Sequence, residues 1–165
     1  MDTFNLDIAL AEDAPYTGGA SLGARFIRAL ADEYSTQYYS QVAHWNVVGP
    51  DFQQLHALFA ESYELCNGAI DDVAEQARIL GVFAPMSLPD LLATSSAPLP
   101  ASENAAMAYI AQLRTCHEML KTKWDDIAAN DGGDAGVNDM ASSLSAKHAK
   151  MAWKLRSALG PNAEN

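Results

Sequence analysis

Three long stretches of this chain repeat apolar residues at every third or fourth position, the period of an α-helix with one buried face. The first runs from about Asp51 to Leu80, with Phe52, Leu55, Phe59, Tyr63, Cys66, Ile70, Val73, Ala77 and Leu80 on its stripe. The second, from about Ser102 to Ala128, carries Ala106, Ile110, Leu113, His117, Leu120, Trp124 and Ile127. The third carries Val137, Met140, Leu144, His148, Met151, Leu155 and Leu159 and stops at Gly160-Pro161. A further helix is predicted ahead of them, from Ser21 as N-cap to about Val48, where Gly49-Pro50 ends it. Between the two halves lies a Pro-, Ser- and Ala-rich connection, residues 82–103, in which Ser87-Leu88-Pro89-Asp90 reads as the start of a short capped helix. A connection of that length suits a crossover between helix pairs, so the predicted fold is an all-α four-helix bundle over residues 21–160. Residues 1–20 read as an extended acidic arm and 161–165 as a short tail.

Charge and composition narrow the function. Ten Lys and Arg against 21 Asp and Glu give a net charge of −11. That surface repels phosphate backbones, and the first basic residue is Arg25, so direct DNA binding is disfavoured. No run of about 18 apolar residues is present to span a membrane. Residues 1–20 carry four acids and no Lys or Arg, unlike a secretory signal, so a cytoplasmic location is expected. Cys66 and Cys116 are too few for a disulfide framework and read as reduced, buried thiols. Nucleotide-binding loops, Cys-x-x-Cys and His-Glu-x-x-His are all missing.

Four histidines remain. A dimetal centre inside one bundle normally uses Glu-x-x-His pairs, but Gln41, Gln53, Arg114 and Ser145 stand three residues before His44, His56, His117 and His148. His117 and His148 lie on apolar stripes and read as core or interface histidines with one hydrogen bond each. His44 and His56 instead flank the Gly49-Pro50 break, while Asp71 and Glu75 share one helix face further along. His56 and Asp71 are 15 residues apart, about 22 Å along a helix, whereas metal–ligand bonds are about 2 Å. One chain cannot gather both ends around one ion. Metal-type residues are therefore expected to meet only where an antiparallel second copy brings its carboxylates to the histidines, making two equivalent sites. Imidazole with carboxylate suits iron or another borderline divalent metal. The same residues also suit a solvated helix face and a helix-end cap.

The run His44-Trp45-Asn46-Val47-Val48-Gly49-Pro50-Asp51-Phe52, then Leu55-His56, then Asp71-Asp72-Val73-Ala74-Glu75, resembles the signature of the Dps family, the DNA-binding proteins from starved cells within the ferritin-like proteins. Val137-Asn138-Asp139-Met140 and the segment from Trp153 to Gly160 resemble its last helix, so the likeness runs from about Ser21 to Gly160. The resemblance implies a ferritin-like bundle and a hollow homododecamer built from two-fold dimers. It implies a ferroxidase that oxidises Fe(II), preferentially with hydrogen peroxide, and stores ferric mineral. The implied ligands of a diiron site shared between subunits are His44 and His56 from one chain and Asp71 and Glu75 from its partner, with Glu75 bridging. Trp45 would sit beside the site, either as an electron donor or in dimer packing. Asp131, Asp134 and Asp139 would fall near an acidic pore, although a turn and a helix start also favour acids there.

Two departures bear on activity. The family usually has a carboxylate four residues after the second histidine, and this chain has Ala60. Glu61 is rotated about 100° from that position, whereas Glu64, one turn further on, keeps nearly the same face and is the better substitute. One strong and one weak iron position per interface half are therefore expected. The second departure is the acidic arm, where DNA-binding members often carry basic tails. The competing reading is a shell of the same build with weakened or lost ferroxidase activity, serving as a structural protein or binding another metal such as zinc. A DNA-compacting protein is a third reading, against which the charge argues.

Overall fold

The structure, a computed structural model, describes residues 21–98 and 105–160. Five helices follow in order: α1 Leu22–Asn46, α2 Phe52–Ile79, α3 Leu88–Leu92, α4 Ala106–Ala129 and α5 Ala135–Leu159. No strand occurs among the described residues. Helix α1 packs along α2 and α4 along α5, and the two hairpins face each other, making the expected ferritin-like four-helix bundle. The proposed arm, the tail and a start of the third long helix near Ser102 lie outside the described residues.

Local chemistry sets the helix ends. Ser21 caps α1 by accepting from the Ala24 N–H, at 3.3 Å. Helix α1 stops two residues short of Val48 because Val47 is already extended and Gly49 takes φ +114°, a conformation open to glycine. Ser87 caps α3 by accepting from the Asp90 N–H, with Pro89 in the first turn. Asp134 caps α5 through the Gly136 and Val137 N–H groups. Ala105, at the start of α4, offers no side-chain cap.

The core divides into two apolar halves. One contains Phe26, Leu30, Val73, Leu120, Trp124 and Ile127, with Trp124 edge-on to Phe26 at 5.6 Å. The other contains Val47, Phe59, Ile110, Leu113, Met151 and Leu155. Between them, at the middle of all four long helices, lies a fully buried polar layer of Glu33, Thr36, Ser40, Ser62, His117 and His148.

A second buried acid fixes the crossover. Asp32 is fully buried and accepts from the Ser96 N–H (2.6 Å), the Ala97 N–H (3.1 Å) and the Ser95 and Ser96 hydroxyls. It also pairs with Lys123 of α4. One carboxylate thus ties the connection after α3 to both hairpins. Removing it strands a lysine and several donors, so Asp32→Ala is expected to destabilise the chain by about 3 kcal/mol. Asp32→Asn, which keeps some of these acceptors, should cost less. Chemical denaturation of the purified variants measures both.

Candidate metal centre

The end of α1 and the first turns of α2 bring His44 and His56 face to face. Their rings stack with centroids 3.5 Å apart and planes 22° from parallel. Each is held by the other's backbone: the His44 Nδ1–H donates to the His56 carbonyl at 2.7 Å, and the His56 Nδ1–H donates to the His44 carbonyl at 2.8 Å. A carbonyl can only accept, so both protons sit on Nδ1. With its Nδ1 so held, each ring has Nε2 as its remaining ligand atom, and the carbonyl behind it fixes the ring orientation, as in metal-ligating histidines. Tyr63 packs edge-on to His44 at 5.4 Å, and Phe52 stacks on His56 at 4.9 Å.

Around this pair several large apolar side chains are exposed, interspersed with the polar Asn46, Asp51 and Gln53. Trp45 is 61% exposed, Val48 76% and Phe52 37%, with Tyr38 edge-on to Trp45. At the far end of α2, Ile79 and Phe83 are also exposed. Asp71 and Glu75 lie exposed on α2 between these ends and are not brought to the histidines of their own chain, as the helix length requires. Ala60 is half-buried and Glu64 exposed. Glu61 is ion-paired to Lys154 of α5, which draws it away from the histidine face. The acidic loop residues have local partners. Asp131 accepts from the Gly133 N–H and the Asn138 side chain, and Asp134 caps α5, while Asp139 is exposed.

His117 and His148 are core residues, but each makes two hydrogen bonds rather than one. The chain of contacts starts at Thr36, whose carbonyl accepts from the Ser40 hydroxyl. The Ser62 hydroxyl then donates to Ser40 at 2.6 Å, and the His117 Nε2–H donates to Ser62 at 2.7 Å. Burial, reinforced by His148, holds the His117 pKa well below the usual imidazole value, so His117 is neutral and its Nδ1 is an acceptor. His148 Nδ1–H donates to it at 2.8 Å. The other nitrogen of His148 meets Glu33 Oε1 at 2.8 Å across one shared proton, and Trp124 Nε1–H donates to the same oxygen.

Cys66 joins this layer: its sulfur and one ring nitrogen each of His117 and His148 lie within 4.8 Å of one another. The expectation that metal-type side chains meet only between copies is thus corrected, because these three meet inside one chain. Glu-x-x-His spacing could not find them, since the cluster draws single residues from α2, α4 and α5. Their shared placement on apolar stripes was the available signal. Burial, then the charge of Glu33, pushes the Cys66 thiol well above its usual pKa, and burial chiefly pushes Cys116 up to about 12. Neither is a thiolate at neutral pH. Both thiols are expected to resist a disulfide reagent in the native protein and to react once it is denatured, a two-thiol difference read by absorbance.

The ferritin-like domain family model matches residues 25–161. An uncharacterized low temperature-induced protein of Nostoc is 34% identical over 132 residues, spanning 78% of this chain and 74% of that protein. DNA protection during starvation protein 2 of Bacillus anthracis is 29% identical over 119 residues, 70% of this chain and 81% of the relative. The crystal structure of Dps from Thermosynechococcus elongatus superposes with a TM-score of 0.80 at 25% identity, covering 85% of this chain and 90% of that one. With the paired histidines at the α1–α2 turn and the bundle that holds them, these likenesses place the chain in the Dps family of the ferritin-like superfamily.

Proposed function

We propose that this chain is an iron-storage and oxidative-stress protection protein that oxidises Fe(II) at sites shared between two copies and holds the ferric product inside a hollow homododecamer. The observation that carries this reading is the reciprocal histidine pair, in which each Nδ1 is taken up by the other's backbone carbonyl, leaving Nε2 as the ligand atom, beside a rim of exposed apolar side chains. Exposed apolar groups at both ends of α2 favour burial against another surface. An antiparallel α2 from a second copy would cover them and carry that copy's Asp71 and Glu75 to His44 and His56.

Fe(II) is the substrate. Two Fe(II) ions each give up one electron, and one hydrogen peroxide takes both with two protons to form two waters. Removing peroxide and Fe(II) together prevents hydroxyl radical formation. His44, Asp71 and Glu75 hold the first iron, and Glu75 bridges to the second. His56 holds the second, where Ala60 supplies no oxygen and Glu64 is the nearest substitute on that face. Trp45, adjacent to His44, covers the site and can donate an electron to a stray oxidant. Asp131, Asp134 and Asp139 line the route of iron entry. A net charge of −11 supports cation uptake and argues against direct DNA binding, so protection is chemical. No helix among the described residues is long and apolar enough to cross a membrane, and a cytoplasmic location for the cage is part of the proposal.

Ala60 favours one alternative, a shell of the same build that has lost ferroxidase turnover and holds another metal such as zinc. Iron retention separates the two readings. Protein mixed with Fe(II) and stoichiometric peroxide is expected to elute from size exclusion as a large particle with many irons per chain. Glu75→Gln should slow oxidation by at least about tenfold, and Ala60→Asp should speed it. Iron that precipitates at the protein-free rate would leave the degenerate shell as the better reading.

A further inference from the structure

The polar layer in the middle of the bundle takes no part in the interface chemistry, yet it has the composition and second contacts of a metal site. Cys66, His117 and His148 come from three different helices, are fully buried, and place one ligand atom each within 4.8 Å of the others. A tetrahedral zinc ion, with Zn–N of 2.0–2.1 Å and Zn–S of 2.3 Å, spaces its ligands by about 3.3 Å between nitrogens and about 3.6 Å from nitrogen to sulfur. The two Nδ1 atoms already face each other at 2.8 Å. Admitting the ion requires that gap to open by about half an ångström and the Cys66 sulfur, within 4.8 Å of one ring nitrogen of each histidine, to settle about 3.6 Å from both.

The groups behind the rings match as well. Metal-bound histidines usually give their far N–H to an oxygen acceptor such as a carboxylate, a backbone carbonyl or water. Here His148 Nε2 faces Glu33 Oε1 at 2.8 Å and His117 Nε2 faces Ser62 Oγ at 2.7 Å. Glu33 is itself fully buried; its Oε2 has no nitrogen or oxygen partner, and the Cys66 thiol is hydrogen-bonded to the same carboxylate. A buried carboxylate held on that side only by a weak thiol donor gains from a nearby cation.

We propose that Cys66, His117 and His148 form a buried binding site for a borderline-soft dication of the zinc class, oriented by Glu33 and Ser62. Sulfur with two imidazoles rejects hard cations such as magnesium or calcium. A dication takes Cys66 as thiolate, the thiol proton leaving on binding, and the Glu33 carboxylate behind His148 offsets the remaining charge of the ion. Because the site is closed to solvent, the ion enters as the chain folds and leaves slowly.

The test uses the full chain produced in cobalt-supplemented medium, then treated with a chelator. The wild type is expected to retain one Co(II) per chain, with the intense visible bands of low-coordinate cobalt and a near-ultraviolet thiolate-to-Co(II) band. Cys66→Ser should lose that near-ultraviolet band, whereas Cys116→Ser and the interface double variant His44→Ala with Glu75→Gln should keep it. On the wild type alone, X-ray absorption of the retained ion should show one sulfur at about 2.3 Å beside nitrogen at about 2.0 Å. A wild type without the thiolate band, a band that persists in Cys66→Ser, or a shell of nitrogen and oxygen only would overturn the assignment. None of these readings depends on ferroxidase activity.

Discussion

Helix α2 is a rigid rod, and its length decides what this chain can assemble. It carries His56 near its start, Ser62 and Cys66 at its middle, and Asp71 and Glu75 towards its end. With 1.5 Å of rise per residue, groups separated by several turns cannot approach the same ion. The histidine end is pre-built: each ring is locked by the other's carbonyl, so little conformational entropy remains to be lost when a ligand arrives. The carboxylate end is exposed and far away. Any chemistry needing both must recruit a second copy, and the apolar rim at each end of α2 supplies a reason for that copy to bind.

The middle of the rod meets a different constraint. Four long helices converge on a polar layer sealed between two apolar half-cores. Replacing such a layer with well-packed apolar residues often raises stability, so its hydrogen-bond chain contributes little as a stabiliser. Its contacts are directional, however. The run from Thr36 through Ser40, Ser62, His117 and His148 to Glu33 is satisfied in only one register of the four helices. Ser40 and Ser62 join α1 to α2, Ser62 and His117 join α2 to α4, and His148 and Glu33 join α5 back to α1. The network thereby couples both hairpins at the level where the apolar cores are interrupted.

Much of this organisation was legible in the sequence because it rests on local rules. The stripes of α2, α4 and α5 carry the helical period, Ser21 and Ser87 are caps of the preferred type, and Gly49-Pro50 marks a turn that only a few residue types tolerate. His44 and His56 stood out for their place on either side of that turn. What sequence could not supply was depth. Helix α1 is buried around much of its circumference, so adjacent residues such as Asp32 and Glu33 are both fully enclosed, and no apolar stripe marks its inward face. An acid on such a helix reads as solvated until the neighbours are in place. Glu33 was missed for that reason, and without Glu33 the histidines on the apolar stripes looked like isolated core residues. The reciprocal carbonyl contacts of His44 and His56 likewise depend on the angle between α1 and α2, which spacing does not encode.

The most direct measurement is complementation between two silent variants. His44→Ala with His56→Ala leaves a chain with intact carboxylates, and Asp71→Asn with Glu75→Gln leaves one with intact histidines. Co-assembled from denatured mixtures, a mixed pair has one interface half lacking every changed ligand and the other retaining all four. If the site is shared, each variant alone oxidises Fe(II) with peroxide at the protein-free rate, and the mixture regains a substantial part of the wild-type rate. A mixture as inactive as its parents, despite formation of mixed pairs confirmed by mass spectrometry, would contradict a site built from two copies.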